Sequence, residues 1–176
     1  MVVRALFAYD PPLKQFIHAL KFQQGLHFAD WFADKMIETW GKPEADCIVP
    51  VPLHPRRQCE RGYNQTLEIA KRLHKISDIP LNRWDCQRSD YTLPQSHLHA
   101  NERIHNIKPS SFVISSSLKN KSLLVIEDVI TTGATIQAFI QALKKAGVKH
   151  VNVWACCQTL KKEALPSLIE SGHTSV

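Results

Sequence analysis

Two adjacent acidic residues, Glu127 and Asp128, precede a short run of hydroxyl and small residues. That run reads Thr131, Thr132, Gly133, Ala134 and Thr135. Carboxylates accept hydrogen bonds from hydroxyl groups and bind Mg2+ through oxygen. The run suits an anion, because glycine lets a ligand approach the backbone and threonine donates from its hydroxyl. The two parts together predict a ligand with a phosphate at one end and a diol in the middle, such as a ribose 5-phosphate.

The flanking residues predict a strand before this site and a helix after it. Leu123 to Ile126 are apolar without interruption, which is typical of a parallel strand covered on both faces. Ile136, Phe139, Ile140 and Leu143 recur at helical spacing, and Gly147 is expected to end that helix. Unpaired N–H groups and the positive end of the helix dipole attract an anion to the first turn. The phosphate is therefore expected at residues 131–135, and the sugar at the two acids.

Two other phosphate-binding motifs are excluded here. No Gly-Lys-Ser/Thr follows the strand, and the Gly-x-Gly-x-x-Gly fingerprint of dinucleotide-binding proteins is absent. The run 123–135 instead resembles the phosphoribosyl-pyrophosphate (PRPP) binding motif of the type I phosphoribosyltransferases, which joins an apolar strand, an acidic pair and a phosphate loop rich in threonine and glycine. The simpler alternative is a strand-to-helix turn whose two acids are only solvated.

The rest of the chain alternates predicted strands and helices, which indicates an α/β fold. Strands are predicted near residues 2–8, 81–87, 112–114, 123–126 and 148–155. A further strand is predicted in the short apolar run within residues 46–54, where the prolines end its pairing. Helices are predicted near residues 13–20, 26–40, 65–76, 98–107 and 136–143. This order predicts a mostly parallel central sheet with helices on both faces, as in the type I phosphoribosyltransferases. We expect one domain over residues 1–160, with a helical cap or flank at 1–42, a core at 43–160 and a tail at 161–176.

Length, composition and charge limit the class of protein. A chain of 176 residues with 44% hydrophobic residues suits one globular domain. No apolar run is long enough to cross a membrane, and no signal peptide is expected. Five cysteines without a C-x-x-C pair argue against a disulfide framework or a zinc site and favour the cytoplasm. The net charge of +6 suits an anionic ligand and permits contact with nucleic acid.

Three further segments resemble the ComF-type proteins, the competence-associated branch of the phosphoribosyltransferase superfamily. One is Leu20-Lys21-Phe22, and the second runs from Val49 to Pro55 and on to Arg61-Gly62-Tyr63-Asn64-Gln65. The third comprises Arg88, Thr92, Pro94, Gln95, Glu102, Arg103 and Asn106. No single segment apart from the acidic loop is specific, but the combination is.

The resemblance implies a type I phosphoribosyltransferase fold that binds PRPP with Mg2+. In bacteria such proteins are linked to DNA uptake, alongside a helicase-like partner and single-strand-binding machinery. Relatives often begin with a four-cysteine zinc module, whereas this sequence has no cysteine before Cys47. The module is either absent or outside the sequence, and both alternatives stay open, as does the oligomeric state.

The resemblance also implies roles for individual residues. Glu127 and Asp128 are the candidate catalytic pair, which receives the ribose hydroxyls and holds Mg2+ together with PRPP. Residues 131–135 cradle the 5-phosphate. The turn formed by Val51, Pro52, Leu53 and His54 matches the pyrophosphate loop. Further candidates for pyrophosphate contact or for a mobile cover are Arg56, Arg61, Arg88, Gln95 and Arg103, and an ordinary surface role is the alternative for each.

Three functions fit these residues. The first is a PRPP-binding, ComF-like protein that transfers the ribosyl group to an unidentified acceptor. The second is a nucleic-acid-binding or adaptor module that has lost the reaction, and the third is a nucleotide-salvage enzyme of the orotate or purine type. In the reaction of the superfamily a nucleophile displaces pyrophosphate, and arginines with Mg2+ stabilise the leaving group. Some purine-type relatives place an aspartate base at the position of Thr131, so acceptors that need deprotonation there are disfavoured.

Overall fold

The computed structural model describes residues 1–89 and 108–159 of the chain. Its strands are β1 (Val2–Ala8), β2 (Cys47–Pro50), β3 (Cys86–Arg88), β4 (Phe112–Ile114), β5 (Ser122–Ile130) and β6 (His150–Gln158). Its α-helices are α1 (Leu13–Phe22), α2 (His27–Trp40), α3 (Pro55–Arg61), α4 (Gln65–Ser77) and α5 (Ala134–Lys145). Four parallel strands form the central sheet in the order β1-β6-β5-β2, while β3 and β4 pair antiparallel. The predicted α/β fold with a mostly parallel sheet is confirmed.

Helices cover both faces of the central sheet, as the sequence predicts. On one face Leu123 and Val125 of β5 pack in a cluster that includes Phe139 and Leu143 of α5. On the other face Leu124 and Ile126 pack with residues of α1, α2 and α4. These four side chains of β5 are each at most 1% exposed. This two-sided burial explains why the run 123–126 is apolar at every position rather than at alternate ones.

The first forty residues belong to the same sheet and core as the rest. Strand β1 pairs in parallel with β6 and forms one edge of the sheet. Helix α2 packs against α4, where the guanidinium of Arg72 donates to both carboxylate oxygens of Asp34 at 2.9 and 3.1 Å. The end of α1 is joined to the start of α4 because the Tyr63 hydroxyl donates to the carbonyl of Leu20. This last contact brings the C-terminal turn of α1 to the carboxyl edge of the sheet.

One predicted strand is shorter than expected, and one helix was not predicted. The strand expected at residues 81–87 is limited to Cys86–Arg88 and an isolated bridge at Leu81. Residues 55–61 form a short helix that was not predicted: His54 Nδ1 accepts from the Arg56 N–H at 3.1 Å, Pro55 is the first helical residue, and Gly62 ends the helix with φ +80°.

Several predictions fall on residues that the structure does not describe. The helix expected at 98–107, the candidates Gln95 and Arg103, and the tail at 161–176 lie outside the described residues. The five cysteines are free thiols, and four of them are buried. Within residues 1–89 and 108–159, no helix is long and apolar enough to cross a membrane.

Candidate functional site

The acidic pair lies at the carboxyl end of β5, inside the protein rather than on its surface. Glu127 is 8% exposed and Asp128 is 4% exposed. The pairing of β5 with β6 is recorded at Glu127 and again at Val129 but not at Asp128. Main-chain N–H groups here bind the carboxylates instead: that of Asp128 donates to Glu127 Oε1 at 3.0 Å, and that of Val129 donates to Asp128 Oδ1 at 2.6 Å. The alternative of two merely solvated acids does not describe this site.

Glu127 shares a cleft with the predicted phosphate loop. The cleft is lined by Glu127 and by the residues from Val129 to Ile136. Gly133 has φ +79° and precedes the first residue of α5, so the left-handed turn that begins the helix favours glycine. The Thr132 Oγ1 atom accepts from the N–H of Ala134 at 3.3 Å. The structure thus brings one buried carboxylate and the N-terminal turn of a twelve-residue helix to the same opening.

Asp128 contacts a different part of the protein. Its Oδ2 atom accepts from Lys21 Nζ at 2.9 Å and from Gln65 Nε2 at 2.7 Å. The Lys21 side chain is 20% exposed and that of Asp128 is 6% exposed. Lys21 is in the last turn of α1, and Gln65 is the first residue of α4. Asp128 therefore joins the sheet to the two helices on one of its faces.

Gln65 is held in turn by Arg61. Arg61 donates from Nη1 to Gln65 Oε1 at 3.2 Å, and its guanidinium lies over the ring of Phe22 at 5.1 Å from the ring centre. Burial lowers the pKa of Arg61, although the charge of Asp128 opposes that shift. The segments Leu20-Lys21-Phe22 and Arg61–Gln65, which the sequence analysis noted separately, therefore meet beside the acidic pair.

The environment of Glu127 favours its protonated form. Burial, followed by the negative charge of Asp128, raises the pKa of Glu127 from 4.5 to about 8, although Lys21 acts in the opposite direction. In the unfolded chain this carboxyl ionises at its ordinary pKa, so its contribution to stability is complete below about pH 4.5 and is lost as the pH rises through about 8. Ionised Glu127 is thus an acceptor that a ligand with hydroxyl or cationic groups would stabilise.

The predicted pyrophosphate turn lies beside the end of β5. The Val51 N–H donates to the carbonyl of Ile126 at 3.0 Å, and the Val51 carbonyl accepts from Asn64 Nδ2 and Thr66 Oγ1 at 3.2 and 2.9 Å. Val51 and Pro52 are buried, Leu53 and His54 are half-buried, and His54 caps α3. These contacts fix the turn against the strand that carries the acids.

The predicted arginines separate in space. Arg61 is in the network around Asp128, whereas Arg56 is exposed on α3. Arg88 lies over the ring of Phe112 at 5.7 Å and lines a second groove with Pro52 and Leu53. Gln95 and Arg103 lie outside the described residues. In the described part of the chain, the predicted arginines therefore do not form a single cluster that could surround one pyrophosphate.

The donor set at the acidic pair does not fit a Mg2+ ion held by the two carboxylates. Both oxygens of Asp128 already accept from N–H donors, and one of those donors is the ammonium of Lys21. Mg2+ needs near-octahedral oxygen ligands, and an ammonium at 2.9 Å competes with it for the same lone pairs. Among the described residues no group of three or more His, Cys, Asp or Glu could hold a metal ion.

Lys21 and Gln65 are the residues that sequence reasoning did not assign to the site. Both stood within segments that the ComF resemblance singled out, so that resemblance was the available signal. A lysine in an amphipathic helix and a glutamine at a helix start carry no local pattern that indicates a buried aspartate as their partner.

Known proteins are similar to this chain in sequence. Residues 64–170 match the family model described as the phosphoribosyl transferase domain. The DNA utilization protein YhgH of Salmonella typhi is 33% identical over 163 residues, which cover 86% of this chain and 70% of that protein. Competence protein F of Haemophilus influenzae is 37% identical over 114 residues, which cover 64% of this chain and 49% of that protein.

A solved structure supports the fold. The glutamine phosphoribosylpyrophosphate amidotransferase of B. subtilis superposes with a TM-score of 0.50 at 18% identity. The match covers 72% of this chain but only 26% of that enzyme, so it bears on the fold alone. It agrees with the predicted type I phosphoribosyltransferase fold. From the family match and the two relatives it follows that this chain belongs to the phosphoribosyl transferase domain family and, within it, to the competence-associated ComF branch.

Proposed function

We propose that the protein binds PRPP in the cleft between Glu127 and the loop at residues 131–135. The observation that carries the proposal is that a buried carboxylate and the N-terminus of α5 line one opening. A ribose 5-phosphate has its diol and its phosphate at separate positions, so it can contact both sides of such a cleft at once.

The loop is the side that suits the 5-phosphate. The first turn of α5 presents N–H groups that have no partner within the helix, and the helix dipole adds partial positive charge. Thr131 and Thr132 are exposed and have hydroxyl groups that can donate to phosphate oxygens. Gly133 has no side chain to block close approach of a ligand to the backbone, and its φ of +79° disfavours any residue with a Cβ atom.

Glu127 is the side that suits the sugar diol. Its carboxylate accepts hydrogen bonds from hydroxyl groups, and such bonds are stronger than neutral ones when the acceptor is ionised. Ligand hydroxyls would offset part of the burial that raises the pKa of Glu127. Asp128, which the sequence analysis paired with Glu127 for this contact, already accepts from Lys21 and Gln65.

The family supports pentosyl transfer as the reaction class. In it a nucleophile on an acceptor forms a bond to C1 of the ribose while pyrophosphate leaves. Thr131 is not a base near neutral pH, so this loop does not favour an acceptor that must lose a proton there. We also propose a role in the handling of imported DNA in the cytoplasm, because the relatives are named for DNA utilization and competence.

The direct test of PRPP binding is calorimetry at pH 9, where Glu127 is ionised. The wild type should bind PRPP, and Glu127→Gln should bind it about tenfold to a hundredfold more weakly, because a hydrogen bond to a charged group contributes about 1.5–3 kcal/mol. Glu44→Gln is the matched control, since Glu44 is exposed at the opposite edge of the sheet. The absence of heat with wild-type protein, or equal affinities for the wild type and Glu127→Gln, would contradict the proposal.

The affinity should also depend on pH in a defined direction. As the pH rises from 7 to 9, Glu127 passes through its pKa of about 8 and becomes a stronger acceptor, so the affinity for ribose 5-phosphate should increase. The second ionisation of a phosphate monoester lies near pH 6 and is complete in this range. Glu127→Gln should show a flat profile over the same range. Parallel profiles for the two proteins would mean that Glu127 does not receive the ligand.

Single-stranded nucleic acid is a second candidate ligand because of one aromatic side chain. Trp84 is 78% exposed and lines a groove with Arg83, Gln87 and Arg88. An exposed indole beside guanidinium groups can stack on a base while the positive charges contact phosphates. The net charge of +6 agrees with such a ligand.

Titration of a labelled single-stranded oligonucleotide at several salt concentrations tests this second candidate. Binding should weaken steeply with salt. Trp84→Ala should weaken it further by about fivefold to a hundredfold, the effect of losing one base–aromatic stack of about 1–3 kcal/mol. Val113→Ala is the control, because Val113 is also an exposed apolar residue. A salt-independent affinity, or equal effects of the two substitutions, would remove this candidate.

A further inference from the structure

Helix α1 supplies a cation to the acidic pair from a distant part of the sequence. Lys21 Nζ lies 2.9 Å from Asp128 Oδ2, and both side chains are largely shielded from water. The neighbouring residues Ile17 and Leu20 are fully buried, which anchors this end of the helix in the core. The Tyr63 hydroxyl donates to the Leu20 carbonyl immediately before Lys21. The ammonium is thus placed by packing and by a main-chain contact.

Gln65 also donates a hydrogen bond to Asp128, and its contact with Arg61 fixes the orientation of its side-chain amide. Gln65 Oε1 accepts from Arg61 Nη1, which leaves Nε2 as the donor to Asp128 Oδ2 at 2.7 Å. Gln65 is 3% exposed, so water does not readily replace either contact. Asp128 Oδ1 accepts from the Val129 N–H. Asp128 therefore has a protein donor on each of its two carboxylate oxygens.

The two acids also differ in their position relative to the cleft. Glu127 is among the residues that line it with the phosphate loop, and Asp128 is not. We propose that Lys21 is a positioning residue for ligand binding: its ammonium is the resident counter-ion of Asp128, occupies the place of a divalent cation at the acidic pair, and leaves Glu127 as the carboxylate that receives the sugar diol. The proposal rests on the proposed function, since it concerns how the same cleft takes a ribose phosphate.

The ion pair between Lys21 and Asp128 bears on whether the binding of ribose 5-phosphate, unlike that of PRPP, requires a divalent metal ion. Ribose 5-phosphate has no pyrophosphate group to bind a divalent cation. A cation that assists its binding would therefore have to be held mainly by the acidic pair of the protein. If the Lys21 ammonium already balances the charge of Asp128, ribose 5-phosphate needs no metal to bind. Removal of the ammonium leaves two neighbouring buried carboxylates without the cation that contacts Asp128 directly. The mutual repulsion of the ionised carboxylates then favours uptake of an added divalent ion.

The test is calorimetry of ribose 5-phosphate at pH 9 with and without Mg2+. The wild type should show the same affinity in both conditions. Lys21→Met keeps much of the side-chain length but no charge; it should bind about tenfold more weakly without Mg2+, and Mg2+ should restore most of the loss. Lys21→Arg keeps the charge and should remain independent of the metal. Lys14→Met, an exposed position on the same helix, should match the wild type.

Two results of that titration would overturn the proposal. One is wild-type binding of ribose 5-phosphate that itself requires Mg2+. The other is a Lys21→Met protein that binds with wild-type affinity and without a response to the metal. A Lys21→Arg protein that behaves like Lys21→Met would also count against it, since the charge would then not be the property that matters.

A second measurement does not need a ligand, so it separates this proposal from the proposed function. Mn2+ alone, followed by electron paramagnetic resonance, should bind Lys21→Met at least about tenfold more tightly than the wild type or Lys14→Met. If the wild type binds neither PRPP nor ribose 5-phosphate, the proposed function fails, and the Mn2+ result still decides the role of the ammonium. Equal Mn2+ uptake by wild type and Lys21→Met would overturn that role.

Discussion

The burial of two adjacent carboxylates at the end of β5 is the constraint on which the rest of this site depends. Removing an ionised carboxylate from water costs several kcal/mol unless it is paired and hydrogen-bonded, and a second one beside it raises the cost. The protein meets this cost differently for each acid. Asp128 receives an ammonium, an amide and a main-chain N–H, whereas the pKa of Glu127 shifts toward the neutral form.

The two faces of the sheet account for this division of roles. Helices α1 and α4 pack on one face of β5, and their ends bring Lys21 and Gln65 to Asp128. Helix α5 packs on the other face, and its N-terminal turn opens beside Glu127. The same strand thus connects a charged network inside the protein to a cleft at its surface. A change in the docking of α1 would therefore reach the proposed ligand cleft through Asp128 without touching the loop.

Sequence reasoning predicted the motif on β5 and α5 because its signals are local. Four consecutive apolar residues indicate a strand covered on both sides, and Gly133 indicates a turn before a helix, so a strand at 123–126 and a helix at 136–143 were predicted correctly. The strand continues through the two acids to Ile130, which the apolar run did not indicate. The helix at 55–61 was missed although Pro55 and Gly62 are ordinary helix-boundary residues, because the segment is short and has no apolar residues at helical spacing. The position of β3 depends on pairing with β4, which is distant in sequence.

The contacts of Asp128 could not be predicted for a stronger reason. Lys21, Gln65 and Asp128 come from three separate elements, and only the packing of the whole domain brings their side chains together. No periodicity in α1 distinguishes Lys21 from the exposed Lys14. The ComF resemblance identified the segments that contain Lys21 and Gln65, but a resemblance does not state which atoms meet.

A crystal structure with ribose 5-phosphate bound, determined without divalent cations, is the most direct measurement of this account. In that structure the phosphate should lie at the amides of residues 131–135, and a sugar hydroxyl should lie within hydrogen-bonding distance of a Glu127 oxygen. The Lys21–Asp128 ion pair should be unchanged. Sugar hydroxyls bound to Asp128 with Lys21 displaced, or a phosphate bound away from the start of α5, would contradict it.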